Sequence, residues 1–179
     1  MFLSKLLALA SGADGGRPRG DTETVRKITQ ALDQMDPARA RYIAAFAYIL
    51  GRVAYADLTV SPTELREMER IVMEVGGIPE EQAIIAVQIA KTRSTLFGAT
   101  ENFLVTREFN EIASREDKLK LLECLFAVSA SEDDISTAED NEVRQIASEL
   151  LLEHRDYIAV RYKFRDRLRV LRRPDEGGE

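Results

Sequence analysis

The chain has 179 residues and a net charge of −6, with one histidine, one cysteine and no tryptophan. This length suits one domain, or two small repeats that share a core. One cysteine cannot form an intramolecular disulfide, and one cysteine with one histidine cannot build a Cys/His zinc site. The composition therefore excludes most metalloenzyme and hydrolase classes, and the negative charge argues against bulk binding of nucleic acid.

The N-terminal segment combines an apolar stretch with a flexible linker. Phe2, Leu3, Leu6 and Leu7 recur at helical spacing, which predicts a short amphipathic helix too short to span a bilayer. Residues 11–20 are rich in glycine and proline, so residues 1–20 are interpreted as this helix plus a linker. The helix either packs on the domain or a partner, or anchors weakly to a membrane surface. We expect a cytoplasmic protein, with peripheral association to the inner membrane as the alternative.

The chain from 21 to 173 reads as one all-α domain, followed by a disordered tail over 174–179. Internal prolines stand where helices would begin, as in Ser61-Pro62, and no long stretch alternates with the period of a strand. The apolar spacing predicts helices at about 22–35, 38–56, 62–76, 80–92, 101–113, 114–130, 137–151 and 154–171.

An internal repeat relates two parts of this domain. Residues 50–72 align without a gap to residues 125–147, with Leu50 matching Leu125 and Ser61 matching Ser136. Each copy is an apolar helix, an acidic loop and a capped amphipathic helix. The pattern predicts a compact multi-helix fold with two helical hairpins related by a pseudo-twofold axis.

The acidic loops, residues 56–64 and 131–139, carry the candidate chemistry. Ser61/Glu64 and Ser136/Glu139 both have the spacing of a capping box, which explains each serine–glutamate pair without a ligand. The other carboxylates are not explained in this way. If the loops converge, hard oxygen ligands would suit calcium, magnesium or manganese. The candidate metal ligands are Asp57, Glu64, Glu132, Asp134 and Glu139.

The first loop, Ala56-Asp57-Leu58-Thr59-Val60-Ser61-Pro62-Thr63-Glu64, resembles the motif of the TerB-like family of bacterial tellurite-resistance and stress proteins. A degenerate second copy lies at 131–139, and the resemblance covers about residues 25–165. The resemblance implies an internally duplicated all-α fold and a metal site formed by Asp57, Glu64, Glu132 and Glu139. The motif glycine is Leu58 in the first copy and Asp133 in the second.

The resemblance also implies an interaction module of the stress response without enzymatic activity. No phosphate-binding loop, dinucleotide fingerprint or nucleophile elbow is present, so we expect no catalytic residues and no organic cofactor. We expect a protein partner, either in a membrane-associated complex or in a homodimer, and no nucleic acid.

The last predicted helix is basic. Residues 153–173 hold eight Lys/Arg and three acidic residues, a local charge of +5, so the remainder of the chain carries −11. Its cations either pair with acidic residues of the same chain or face an acidic partner, anionic lipid or nucleic acid, and we favour pairing within the chain. A membrane-surface adaptor that uses the first and last helices is the alternative function.

Overall fold

In the computed structural model of the chain, the described residues are 19–54, 61–96, 102–132 and 134–171. They form α-helices joined by short connections, and their only extended pairing is an isolated bridge, so the predicted all-α class is confirmed. The helices are α1 (Arg19–Asp33), α2 (Pro37–Ala54), α3 (Pro62–Glu74), α4 (Glu80–Leu96), α5 (Asn102–Ile112), α6 (Arg115–Glu132), α7 (Thr137–Glu149) and α8 (His154–Lys163).

The helix boundaries follow local capping signals. Asp36 precedes α2, and its Oδ1 accepts hydrogen bonds from the backbone N–H groups of Ala38 at 3.0 Å and Arg39 at 3.2 Å. Gly77, with φ of 66°, follows α3 in the left-handed conformation that glycine adopts without strain. Signals of this kind depend on residues close to the helix end, which is why most predicted boundaries agree with the structure. The predicted helix over 1–10 and the tail over 174–179 lie outside the described residues.

Helix α2 is the centre of the core. It is apolar around most of its circumference, and Ile43, Phe46, Tyr48 and Leu50 are fully buried. It packs against α4, α5, α6 and α7, so its surroundings come from both halves of the chain. A helix that is apolar on all sides is stable only inside a protein, which accounts for this central position.

The last predicted helix ends earlier than expected. It was predicted to reach residue 171, but α8 ends at Lys163 and two short 3-10 turns, Arg165–Arg167 and Arg169–Leu171, follow. We call residues 165–171 the C-terminal strap. Its backbone pairs with Ile135, whose N–H donates to the Arg167 carbonyl at 2.7 Å and whose carbonyl accepts from the Arg169 N–H at 3.0 Å. A continued helix would use these groups internally and leave Ile135 unpaired.

Leu151, two residues after the end of α7, has a backbone conformation that is unfavourable for a residue with a side chain. Leu151 has φ of 58° and is 78% exposed. The Leu151 N–H donates to the Ser148 carbonyl and the Leu152 N–H to the Ala147 carbonyl, both at 3.0 Å, which is the Schellman arrangement. Glycine is the usual residue at this position because a Cβ atom strains the left-handed conformation.

We expect Leu151→Gly to raise the free energy of unfolding by about 1 kcal/mol, because it removes this strain. Chemical denaturation measures the change. The matched control is Leu151→Ala, which also removes the exposed side chain but keeps the Cβ atom, and which should give no such gain. Equal stabilisation by both variants would show that strain is not the cause.

Candidate functional site

The first acidic loop ends in a capping box at the start of α3. The Ser61 N–H donates to Glu64 Oε2, and the Glu64 N–H donates to Ser61 Oγ at 3.2 Å. Pro62 occupies the first helical turn, where its missing N–H has no intrahelical partner to lose. The local sequence therefore accounts for the position of the Glu64 carboxylate at the N-terminus of α3.

The second acidic loop ends in the same arrangement at the start of α7. Glu139 Oε2 accepts from the Ser136 N–H at 2.8 Å and from Ser136 Oγ at 2.7 Å, while the Glu139 N–H donates to Ser136 Oγ at 3.2 Å. The capping boxes expected at both copies are thus present. In both, the capping hydrogen bonds use Oε2 of the glutamate, so Oε1 lies outside the box.

A groove of about 480 Å³ connects parts of the two copies. Its lining comes from the first three turns of α3 and from the last turn of α6. Glu64, which ends the first acidic loop, and Ser131, which begins the second, therefore border the same space. The lining residues are Thr63, Glu64, Arg66, Glu67, Arg70 and Ser131.

The predicted metal ligands are only partly within the described residues. Asp57 lies outside them. Glu132 is the last residue of α6, and only its backbone is described. Asp134 follows between α6 and α7. Over the described ranges, no group of three His, Cys, Asp or Glu side chains is placed to hold a metal ion. The described members of the predicted set, Glu64, Asp134 and Glu139, therefore do not form a cation site by themselves, and the predicted ligand set stays a prediction.

The C-terminal strap lies against the second acidic loop. Leu168 is fully buried and forms the isolated parallel bridge with Ile135, one residue after Asp134. The Arg167 guanidinium donates to the Ala130 carbonyl at 2.7 Å, near the C-terminus of α6. The strap therefore brings basic residues to an acidic segment. Sequence reasoning missed its backbone pairing with Ile135, because it predicted a continuous helix there.

A buried arginine connects α2 to α7. The Arg52 side chain is 1% exposed, and its Nε donates to Glu142 Oε1 at 2.8 Å. Its Nη1 and Nη2 donate to the two carboxylate oxygens of Glu149 at 2.6 and 3.2 Å. A guanidinium removed from water is stabilised when its charge is paired and its N–H groups are hydrogen-bonded, and these two carboxylates meet both conditions.

Helix α5 supports this ion pair. Thr106 Oγ1 donates to Glu149 Oε2 at 3.0 Å, and Asn110 Nδ2 donates to the Glu149 backbone carbonyl at 2.7 Å. Burial alone would raise the pKa of Glu149, but the hydrogen bonds and the charge of Arg52 hold the pKa of this carboxyl below its ordinary value. The carboxylate is therefore ionised at neutral pH, and three helices meet at it.

The basic residues of α8 pair with acidic residues of the same chain. Arg161 donates to both carboxylate oxygens of Asp140 on α7, and Tyr157 Oη donates to Asp140 Oδ1 at 2.6 Å. Lys163 Nζ lies 2.7 Å from Glu123 on α6. For Arg161 and Lys163, pairing within the chain is confirmed.

Cys124, the single cysteine of the chain, lies in the apolar core. It is fully buried, and burial raises the pKa of its thiol to about 12, which leaves the unreactive protonated form at neutral pH.

The described residues define an all-α module in which two serine-capped helices follow acidic segments and a buried ion pair joins the two copies. A family model described as tellurite resistance protein TerB matches residues 42–162, and the chain therefore belongs to the TerB family. The resemblance noted in the sequence is confirmed.

No curated protein and no solved structure matches the chain. Among the described residues, no helix is long and apolar enough to cross a membrane.

We expect Arg52→Met to lower the free energy of unfolding by about 3–5 kcal/mol, because it leaves the partly buried Glu142 and Glu149 carboxylates without a counter-ion. The matched control is Arg41→Met on the same helix, since Arg41 pairs with Glu108 at 2.9 Å while remaining 42% exposed. That variant should lose no more than about 1 kcal/mol. Comparable losses, measured by urea denaturation, would contradict a special role for Arg52.

The lowered pKa of Glu149 also predicts a pH dependence. Because folding lowers this pKa, the ion pair contributes its stability above the ordinary carboxyl pKa and loses it as the pH falls through the lowered value. The difference in unfolding free energy between wild type and Glu149→Gln should therefore be largest near neutral pH and shrink in acid. A difference that stays constant from neutral pH into the acid range would show that the ionised carboxylate is not the source.

Proposed function

We propose that this TerB-family chain is a non-catalytic interaction module of a tellurite-resistance-type stress response, and that its acidic loops bind a divalent cation. The observation that supports cation binding most directly is the shared groove, because Glu64 and Ser131 place the end of one acidic loop beside the start of the other. Carboxylates that approach from two segments can surround one ion. Such a ligand set favours calcium, magnesium or manganese.

The capping boxes are compatible with this role. Each box occupies Oε2 of its glutamate, at Glu64 and at Glu139, and keeps the carboxylate at the N-terminal end of a helix. Oε1 can then serve as a ligand without loss of the cap. Asp57, Glu132 and Asp134 are the residues proposed to supply the remaining oxygens, since calcium and magnesium require several at once.

A bound cation would connect the start of α3 to the end of α6. These helices belong to different copies of the repeat, so the ion would stiffen the chain where the copies meet and remove repulsion between like charges. We propose that a protein partner recognises this stiffened form.

The alternative function, a membrane-surface adaptor, depends on residues 1–10, which lie outside the described residues. It also needs basic residues of the last helix, and two of these, Arg161 and Lys163, are paired with acidic residues of the same chain.

Conservative variants separate cation binding from capping. Glutamine at the third helical position preserves a capping box but lacks the charge that a hard cation requires. We therefore expect Glu64→Gln to keep most of the stability while losing the heat of binding and the rise in melting temperature with calcium, magnesium or manganese. Asp57→Asn should lose the same signals. Isothermal titration calorimetry and thermal unfolding measure both.

The matched control is Ser61→Ala, which removes the cap and not the carboxylate. It should lower the free energy of unfolding by about 1 kcal/mol and still bind the cation. No heat and no thermal shift with any of the three ions on the wild-type chain would refute cation binding. Binding that survives Asp57→Asn and Glu64→Gln together would assign the ion to another place.

A further inference from the structure

The outer face of α8 carries an exposed line of basic and apolar side chains. Arg155, Ile158 and Tyr162 follow one another at spacings of three and four residues, which places them along one side of α8, and Arg165 follows in the strap. Ile158 is 44% exposed and Tyr162 is 63% exposed. The Arg165 guanidinium carbon lies 4.5 Å from the centroid of the Tyr162 ring, so the line continues beyond the helix end. We call these four residues the outer stripe.

Four basic residues of this region differ in the partners they have. Arg161, which is 20% exposed, and Lys163, which is 56% exposed, pair with Asp140 and Glu123 on other helices. The two arginines of the outer stripe face solvent, and their side chains are 76% exposed at Arg155 and 48% exposed at Arg165. Arg161 and Lys163 therefore connect different helices, whereas the ion pairs of Arg155 and Arg165 join only residues that are neighbours in the sequence.

The ion pairs of the outer stripe are local and weak. Arg155 pairs with Glu153 at 2.7 Å, two residues away and 62% exposed, and Arg165 lies 3.7 Å from its neighbour Asp166, which is 86% exposed. Exposed pairs of this kind contribute little to stability. Both guanidinium groups can exchange these partners for the carboxylates of another molecule, to which arginine binds through two parallel hydrogen bonds.

We propose that the outer stripe is a docking surface for an acidic amphipathic segment of a partner protein. Ile158 and Tyr162 would bury the apolar side of the segment, and Arg155 and Arg165 would bind carboxylates at its two ends. Tyrosine and arginine are the residue types most enriched where binding energy concentrates in protein interfaces. The proposal identifies the partner class of the interaction module and rests on that part of the proposed function, but it uses none of the acidic-loop residues.

An anionic membrane and a second copy of the chain are the competing occupants. Stable attachment to a membrane takes two independent signals, and the outer stripe offers two apolar side chains on one short helix. A second copy in a twofold dimer would bring together two surfaces of the same positive charge, since residues 153–173 carry +5. Charge complementarity therefore favours a separate acidic protein.

Site-specific photo-crosslinking in cells that contain the full-length chain tests this proposal. Benzoylphenylalanine replaces Ala159, an exposed residue beside the stripe, and the matched control carries it at Gln30, an exposed residue of α1. We expect a dominant adduct from position 159 alone, mapped by mass spectrometry to a partner segment of net negative charge with apolar residues three or four positions apart. Arg155→Glu combined with Arg165→Glu should abolish it without changing the melting temperature.

A synthetic peptide of the crosslinked segment then measures the affinity for the purified chain. We expect Tyr162→Ala to weaken binding by about tenfold or more, as for other interface tyrosines. Vesicles of equal parts phosphatidylglycerol and phosphatidylcholine serve as the lipid probe. An adduct with lipid, with a second copy or with a segment that is not acidic would overturn the proposal, and so would a yield no greater than that from position 30. Cation binding is measured separately, by calorimetry on the wild-type chain, so failure of either proposal can be recognised separately.

Discussion

The buried ion pair between Arg52 and Glu149 holds the two halves of this protein in one arrangement. A guanidinium that is 1% exposed would strongly destabilise the fold without its carboxylates, so α2 and α7 must lie where both Glu142 and Glu149 reach it. Thr106 and Asn110 add α5 to the same point. Because α2 also forms the centre of the apolar core, this polar contact fixes the register of the helices around it.

The packing of these helices brings Glu64, at the end of the first acidic loop, and Ser131, at the start of the second, to one groove. Both copies cap their second helix with the same serine–glutamate pair. The helix that follows each copy differs in length, and runs from Glu80 to Leu96 after the first copy and from His154 to Lys163 after the second. The residues that follow the shorter helix form the strap. The backbones of Arg167 and Arg169 in the strap are hydrogen-bonded to Ile135 in the second acidic loop. The strap therefore brings basic residues beside the second acidic loop.

Sequence reasoning predicted the capping boxes but not the contacts between the copies. Ser61 and Glu64 are three residues apart, so their interaction depends on local geometry alone and can be recognised from the sequence. Arg52 and its partners Glu142 and Glu149 are separated by 90 and 97 residues. No local pattern links residues so far apart, and an arginine near the end of an apolar helix is usually expected to face solvent. The candidate cation site was predictable only in part. The capping glutamates Glu64 and Glu139 take positions that the sequence predicts, whereas Asp57 is not among the described residues.

The sequence by itself determined the all-α class, most helix boundaries, the repeated caps and membership of the TerB family, because apolar periodicity, capping residues and family motifs act over short distances. Tertiary structure decided which charges are buried, where the last helix ends and which side of α8 remains open. The periodic pattern that predicted a helix to residue 171 continues past Lys163, but Ile135 supplies backbone hydrogen bonds that the strap satisfies instead. Long-range pairing of this kind depends on the approach of distant segments, which the packing around α2 brings about.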